Sequence, residues 1–348
     1  AAAHRLATRN PAARIALVDG GAIGSGAGGR NSGFLFDVPF VFSDDAYKGR
    51  EEEGRFEIRL YRDVKETMRD LVRTHQIECS WSEIGQYHVA VATEGERELG
   101  LIQKGLDNLG EEYSEFNGTE LADRLGTNFY RRAIHTPGTV QINPFALLNG
   151  FAEALPENVS IYEYSPVHTI EEGRPVQVRC DGGSISTDRC LVTTNTHLRA
   201  FISSRANLVP LMTFAALTKP LRPEQVAGAQ DNQIWGAVPT SLFGTSIRRL
   251  ADSRLLVRNT YAFAANYNVT EGIWAKAQDR LLLSLQKRFP DIGRLEIEHG
   301  WGGLVSTFRG ASGYFGEINE GILAATSSGM PNCILYGQQL AELALGND

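Results

Sequence analysis

The start of the chain changes from a stretch of helix-forming residues to a continuous apolar run, and each pattern predicts a different element. Residues 1–10 are rich in Ala, Leu and Arg, which favour a helix, and Asn10-Pro11 ends it. Arg14 to Asp19 is a short apolar run that is typical of a buried strand. The order helix, turn, buried strand is that of the second half of a β-α-β unit.

The rest of the chain continues with helices and strands in mixed order. Three-to-four-residue and two-residue spacings predict helices at 43–75, 94–109, 143–155, 270–289 and 335–345, and strands at 81–93, 159–164, 190–194, 297–307 and 322–326. Val176 to Cys180 and Ser184 to Asp188 flank Gly182-Gly183 and predict a hairpin. Several strand-like runs fall within 210–265. This mixture predicts an α/β (α+β) fold with an antiparallel-rich region.

A glycine-rich segment follows the first predicted strand directly. Seven of the fourteen residues from Gly20 to Gly33 are glycine, so the backbone can adopt positive φ and approach a ligand closely. A flexible linker is the alternative. Arg30 and Asn31 interrupt the glycines with specific donors, which favours a ligand-binding loop.

Composition narrows the class of protein. With 348 residues the chain could form one large domain or two, and its net charge of -7 without a long Lys/Arg block disfavours a nucleic-acid surface. No apolar run approaches the roughly 20 residues that cross a bilayer, and the first ten residues lack the apolar core of a secretory signal. Four scattered cysteines without a CxxC pair disfavour a zinc site. We therefore predict a cytoplasmic protein with free thiols, no metal and no membrane insertion.

Several segments, in the same order, resemble one family. The stretch from Ala16 to Gly33 is similar to the glycine-rich segment of FAD-dependent oxidases of the D-amino-acid-oxidase family, which includes glycine, sarcosine and γ-glutamylputrescine oxidases. Further similarity lies in Gln141–Pro144, Tyr162–Val167, Trp301–Gly316, Ser328–Gly329 and Gly337–Glu342. The resemblance therefore covers nearly the whole chain.

The resemblance implies two domains. An FAD-binding, Rossmann-like domain would be discontinuous and comprise 1–45, 135–200 and 300–348. A substrate domain built on a mixed, mainly antiparallel sheet would comprise 46–134 and 201–299.

The resemblance also implies a set of cofactor-binding residues. Asp19 would accept hydrogen bonds from the ribose hydroxyls, Arg30 and Asn31 would donate to the pyrophosphate or the flavin, and the backbone of Val167 would meet the adenine. The full set is Asp19, Gly24, Ser25, Gly29, Arg30, Asn31, Gly33, Val167, Thr194, Gly329 and Met330. A surface turn, loop capping and core packing are the alternatives for Asp19, Arg30 with Asn31, and Val167, respectively.

The implied activity is FAD-dependent oxidation of a carbon–nitrogen bond in a small amine or amino acid, with the redox chemistry supplied by the flavin. A substrate carboxylate would need a cationic partner, for which Arg309 and Arg258 are the candidates, although a structural role is the alternative for each. His88 and His299 lie in predicted strands, where a core or surface histidine is the favoured interpretation.

The chain departs from the family pattern at two places. The family's G-x-G-x-x-G loop should precede Asp19 by about 20 residues, a position at or before Ala1, so that loop and the first strand are expected to lie outside this sequence. They could precede this sequence, have been lost by truncation, or have been replaced in a degenerate homologue. Near the other end, Gly329-Met330-Pro331 stands where the family has G-H-G, so that Pro331 replaces the second glycine. Two alternative hypotheses follow: a flavin-less homologue that serves as a binding or structural subunit, and a nicotinamide-dependent dehydrogenase.

Overall fold

The computed structural model describes residues 1–39, 45–201, 208–226, 234–241, 243–308 and 313–347. Its helices are α1 (Ala2–Arg9), α2 (Ala27–Arg30), α3 (Glu51–Thr74), α4 (Thr93–Leu109), α5 (Gly118–Leu125), α6 (Pro144–Glu153), α7 (Pro223–Val226), α8 (Glu271–Arg288) and α9 (Met330–Ala344). Short 3-10 helices span Asn195–Ala200 and Pro290–Ile292.

The strands of the first half are β1 (Ile15–Val18), β2 (Phe34–Leu35), β3 (Gln86–Ala90), β4 (Ser114–Asn117), β5 (Arg132–Thr136), β6 (Val140–Gln141), β7 (Val159–Tyr162), β8 (Val167–Glu171), β9 (Val176–Cys180) and β10 (Gly183–Thr187). Those of the second half are β11 (Cys190–Val192), β12 (Leu208–Thr218), β13 (Trp235–Pro239), β14 (Ser246–Arg249), β15 (Leu255–Phe263), β16 (Ile297–Phe308), β17 (Gly313–Asn319) and β18 (Ile322–Ser327).

Most predicted elements are confirmed, with differences at their ends. The hairpin of β9 and β10 forms with Gly183 opposite Cys180. The helix predicted over 43–75 begins only at Glu51, and 43–44 lie outside the described residues. The last helix begins at Met330, more than a turn before the predicted Leu335, because Pro331 is compatible with a first helical turn.

Parallel strands form two small sheets. β1 pairs with β7, and β11 pairs with β18, which also pairs antiparallel with β17. The amphipathic helix α1 packs on β1 and on α9, and α9 packs on β18. Arg5 Nε lies 2.5 Å from Glu342 Oε1 and joins the two helices. These parallel pairs and their helices are the Rossmann-like part of the fold.

The largest sheet has eight strands in the order β16-β12-β15-β14-β13-β3-β5-β4. All neighbours are antiparallel except β13 and β3. Side chains of a strand alternate between the two faces, so neighbouring residues enter different environments. On β3, Val89 joins an apolar cluster under α5 and α8, whereas Ala90 joins a second cluster under α3 and α4.

Helix α8 covers the apolar face because its buried residues recur every four positions. Thr270 Oγ1 accepts a hydrogen bond from Ile273 N and caps the helix, and Ala277, Leu281 and Leu285 are buried. The opposite face of β14, β15, β12 and β16 lies beside the end of the glycine-rich segment, where Arg248 bonds the Ser32 carbonyl and Trp301 bonds the Arg30 carbonyl.

The predicted mixed sheet is confirmed, whereas the domain boundaries stay a prediction. The boundaries at 135 and 300 fall inside β5 and β16, and both strands belong to the eight-stranded sheet. Among the described helices, none combines the length and the apolar character that crossing a membrane requires.

Candidate active site

Three of the segments predicted to bind the cofactor follow the carboxyl ends of parallel strands. Asp19 follows β1, Thr194 follows β11, and Gly329 follows β18. In open α/β sheets, ligands bind outside the carboxyl ends of the strands, where loops can present backbone and polar groups. The fold therefore gives these residues the position that a dinucleotide site requires.

Hydrogen bonds bring Asp19 next to the turn that precedes Val167. Asp19 Oδ1 accepts from Gly21 N at 2.8 Å, and the Asp19 carbonyl accepts from Ser165 N at 2.8 Å. Ile23 N donates to Glu163 Oε1 at 2.5 Å. The loops after β1 and β7 thus form one unit, although the ribose and adenine contacts themselves stay predictions.

The glycine-rich segment is folded compactly on itself. A Cβ on Gly29 would lie 2.0 Å from the Gly24 carbonyl oxygen, so this turn can close only without a side chain. Asn31 Nδ2 donates to Gly28 O at 2.5 Å, and its Oδ1 accepts from Gly33 N at 2.8 Å. These contacts match the loop-capping interpretation of Asn31, and a direct cofactor contact by this residue stays a prediction.

Arg30 connects the glycine-rich segment to β16. Its Nη1 donates to the Gly302 carbonyl at 3.0 Å, while Trp301 Nε1 donates to the Arg30 carbonyl at 2.9 Å. The side chain of Arg30 is exposed, and within the described part of the chain no carboxylate pairs with it. A cation with free donors at this place suits an anionic group of a ligand.

A polar cluster joins the same strand to the ends of β11 and β18. Asn195 Nδ2 donates to the Leu304 carbonyl at 3.2 Å, and Asn195 Oδ1 accepts from the Ser306 hydroxyl. Ser328 Oγ donates to the Ser306 carbonyl at 2.6 Å. From Gly302 to Ser306 the strand advances about 13 Å at about 3.3 Å per residue. β16 therefore aligns Arg30 with the loops that contain Thr194 and Gly329.

Arg258 lies on the face of the large sheet that Arg30 borders. It pairs with Ser246 of β14 and with Ala215 of β12, which in turn pairs with Trp301. Directly paired residues share a face. Arg258 Nη1 donates to the Tyr261 hydroxyl at 2.6 Å and Nη2 donates to Ser246 Oγ at 3.0 Å. The half-buried guanidinium has no ion pair among the described residues. Arg309, the other candidate, lies outside the described residues.

The remaining predicted residues have mixed surroundings. Gly329, at φ +86°, is exposed and caps α9, whereas Met330 is partly buried against an apolar cluster that includes Leu35. His88 is fully buried beside Gln86, and burial lowers its pKa to about 4. His88 is thus a core histidine, in agreement with the favoured interpretation, and His299 is exposed.

Sequence reasoning missed Arg248, which lies on the same sheet face as Arg258. Burial lowers the pKa of its guanidinium to about 10. Its side chain bonds backbone carbonyls at Ser32 and Ile142. Two consecutive arginines in a short strand, Ser246–Arg249, are the local signal in the sequence, and they do not reveal the partners.

A comparison with family models matches residues 1–343 to the model described as "FAD dependent oxidoreductase". The chain belongs to this family. The predicted resemblance is thereby confirmed, and the family description names FAD as the cofactor. An FAD-dependent oxidoreductase is favoured over both the flavin-less and the nicotinamide-dependent hypotheses.

Two curated relatives show how far the similarity extends. The chain is 26% identical over 345 residues to "Probable oxidoreductase OrdL" of Rhizobium meliloti (strain 1021), covering 95% of this chain and 77% of the relative. It is 24% identical over 355 residues to "Gamma-glutamylputrescine oxidoreductase" of Escherichia coli (strain K12), covering 96% of this chain and 78% of the relative.

Solved structures show the same fold at lower identity. The glycine oxidase of Geobacillus kaustophilus superposes with a TM-score of 0.79 and 18% identity over 100% of this chain and 92% of the other. The L-proline dehydrogenase of P. horikoshii gives 0.73 and 17% over 99% and 90%. The oxidoreductase therefore has the fold of these amino-acid-oxidising enzymes.

The residues present fit FAD. An acidic side chain, Asp19, follows the strand where a ribose would be bound, and Arg30 offers a cation without a carboxylate partner within the described segments. Around Gly26 and Gly329 an added Cβ would meet no atom within 4 Å, so the backbone there is open to a ligand. The site of this oxidoreductase thus combines polar groups at one end with accessible glycine backbone.

Proposed function

We propose that the protein uses FAD to oxidise a carbon–nitrogen bond in a small amine or amino acid. The observation that supports this most directly is Arg258, a guanidinium without an ion pair among the described residues, on the sheet face beside Arg30. Bound FAD would supply the redox chemistry, as the acceptor for a hydride from the carbon next to the nitrogen. The chain's own residues bind and orient both reactants.

Arg258 holds the carboxylate of an amino-acid substrate in this proposal. The Tyr261 hydroxyl and Ser246 Oγ accept from its Nη1 and Nη2, so the guanidinium plane is fixed before substrate arrives. A fixed fork loses little conformational entropy when it binds a carboxylate. Arg309 stays a prediction for the same role.

Asp19, Arg30 and the loops at Thr194 and Gly329 hold the cofactor in this proposal. Asp19 accepts from ribose hydroxyls, and Arg30 donates to an anionic or carbonyl group of FAD. Arg30 and the loop after Thr194 both bond to β16, which pairs with β12 of the large sheet. These contacts keep the distance between the cofactor-binding residues and Arg258 constant. The cytoplasmic location remains part of this proposal, and cell fractionation would test it.

Anaerobic flavin reduction by a panel of amino acids and amines tests the proposed activity. We expect FAD-loaded protein to lose its oxidised-flavin absorbance when it is mixed anaerobically with an amino acid or amine substrate. If such a panel leaves the flavin oxidised in every case, the proposal is wrong.

Arg258→Met tests the carboxylate contact. We expect KM for a carboxylate substrate to rise about 10- to 100-fold, since hydrogen bonds to charged groups contribute about 1.5–3 kcal/mol. KM for the matching amine without a carboxylate should change little. Arg179→Met, which breaks an exposed ion pair with Glu171 on another sheet, is the matched control and should leave both KM values unchanged. An equal rise for both substrates would contradict the assigned role of Arg258.

A further inference from the structure

Two consecutive arginines on β14 are buried on opposite faces of the eight-stranded sheet. Arg248 is 4% exposed and Arg249 is 3% exposed. Arg249 pairs with Trp235 and so lies on the face of the apolar cluster under α8, where its Nη2 has no hydrogen-bond partner among the described residues. Arg248 points to the other face, toward the end of the glycine-rich segment. The two arginines can therefore be compared as the same residue type in two different environments on one strand.

Arg248 binds three acceptor oxygens on two separate segments of the chain with one guanidinium. Its Nη1 donates to the carbonyls of Ser32 at 2.9 Å and Ile142 at 2.8 Å, and its Nε donates to Gln141 Oε1 at 3.0 Å. The amide of Gln141 is itself oriented, because its Nε2 donates to the Gly85 carbonyl at 2.9 Å. The guanidinium carbon also lies 5.7 Å from the ring centre of Phe34.

This arrangement is unusual for a buried charge. Buried cations are normally paired with carboxylates, because desolvating an unpaired charge is costly. In the described part of the chain no carboxylate pairs with Arg248, and its bonded partners are neutral oxygens. The planar fork of arginine can donate in several fixed directions at once, which a lysine ammonium cannot reproduce. The site is therefore built for geometry more than for charge neutralisation.

The contact also depends on a glycine. Gly33 has φ +75°, and a Cβ there would lie 2.3 Å from Arg248 Nη1 and 2.2 Å from the Ile142 carbonyl oxygen. The Gly33 carbonyl accepts from Ile142 N at 2.9 Å. The guanidinium and the backbone of Gly33 thus fill one shared space, and the position of each determines the position of the other.

We propose that Arg248 is a positioning residue for the cofactor site, which rests on the proposed use of FAD by this chain. By fixing the Ser32 and Ile142 carbonyls to β14, it sets the end of the glycine-rich segment against the substrate-binding sheet. Arg30 is two residues before Ser32, so the hydrogen bond from Arg30 to Gly302 of β16 depends on the contact between Arg248 and Ser32. Arg248 acts through the segment and makes no contact with substrate in this proposal.

Three variants test the proposal: Arg248→Met, Arg248→Lys and Arg249→Met. Flavin fluorescence quenching gives the Kd for FAD, visible circular dichroism reports the flavin surroundings, and thermal unfolding is followed with and without FAD. We expect Arg248→Met to weaken FAD binding at least tenfold and to change the flavin dichroism, with partial recovery in Arg248→Lys. Arg249→Met, the matched control on the other face, should keep the wild-type Kd and dichroism.

The outcomes separate positioning from simple stability. If Arg248→Met lowers the Tm equally with and without FAD while Kd and dichroism stay at wild-type values, the proposal is overturned. If Arg248→Met does not fold, Arg248→Lys decides: wild-type Kd and dichroism overturn the proposal, and altered values support it. None of these measurements needs turnover. The role of Arg248 can therefore be disproved while the wild-type protein still oxidises amines, and amine oxidation can be disproved while the role of Arg248 is supported.

Discussion

The two faces of the eight-stranded sheet differ although the same strands supply both. One face carries Phe214, Ile247 and Leu255 into the apolar cluster under α8. The other carries Arg248, which donates to the Ser32 carbonyl, and Arg258, which donates to the hydroxyls of Tyr261 and Ser246. Because side chains alternate, a strand of few residues can contribute to the core and to the site at once. We therefore expect single substitutions on adjacent residues of one strand to affect stability and ligand binding separately.

Removing Phe214 is the strongest test of the core face. Its side chain is 1% exposed and lies 5.4 Å from the Trp274 ring of α8, centre to centre. We expect Phe214→Ala to lower the free energy of unfolding by about 3–5 kcal/mol, measured with urea, because it leaves a cavity.

Urea unfolding of a variant at an exposed phenylalanine is the control for Phe214→Ala. Phe56→Ala, at a position 55% exposed, should change the free energy of unfolding by no more than about 0.5 kcal/mol. Protein that stays folded with Phe214→Ala should retain the wild-type Kd for FAD. A selective loss of FAD binding in this variant would show that the two faces are coupled.

The pKa of His88 tests the sheet face opposite α8, in the region that α3 and α4 cover. Burial, and secondarily the nearby His135, lowers its pKa to about 4, against about 6.5 in the unfolded chain. The unfolded state therefore binds more protons between these values, and the native state loses stability as the pH falls through this window. We expect a loss on the order of 2 kcal/mol from pH 7 to pH 5.

Urea unfolding at several pH values checks this expectation. His88→Gln removes one titrating group and should make the dependence of the unfolding free energy on pH between 5 and 7 less steep. His299→Gln, at an exposed position, should leave the slope as in wild type. A wild-type slope that survives in His88→Gln would assign the pH dependence to other groups.

Local patterns predicted the elements well because their causes are local. The four-residue spacing in α8, the Asn143-Pro144 start of α6 and the Gly182-Gly183 turn each act within a few residues. Strand pairing was not predictable in the same way. β12 is apolar on both faces, and its neighbours β15 and β16 are distant in the chain, so the sequence indicated only strand-like runs in 210–265.

The candidate site was predictable where a family resemblance marked it and missed where only tertiary contacts define it. Asp19, Arg30 and Gly329 were predicted; the fold places Asp19 and Gly329 after strand ends and Arg30 in α2, hydrogen-bonded to β16. Arg248 was missed because its carbonyl partners at Ser32 and Ile142 are 216 and 106 residues away. No periodicity can report contacts at that separation.

Trp301 lies where the site-side face meets the glycine-rich segment, and its indole N–H gives the smallest expected effect. Trp301→Phe removes the 2.9 Å bond to the Arg30 carbonyl while it keeps a large aromatic ring over the same surface. We expect the free energy of unfolding to fall by about 1 kcal/mol, the usual net value of one hydrogen bond. Because Arg30 Nη1 still bonds Gly302, the Kd for FAD should rise only a few-fold, far less than in Arg248→Met. A larger loss of FAD binding in Trp301→Phe than in Arg248→Met would show that β16, and not β14, positions the glycine-rich segment.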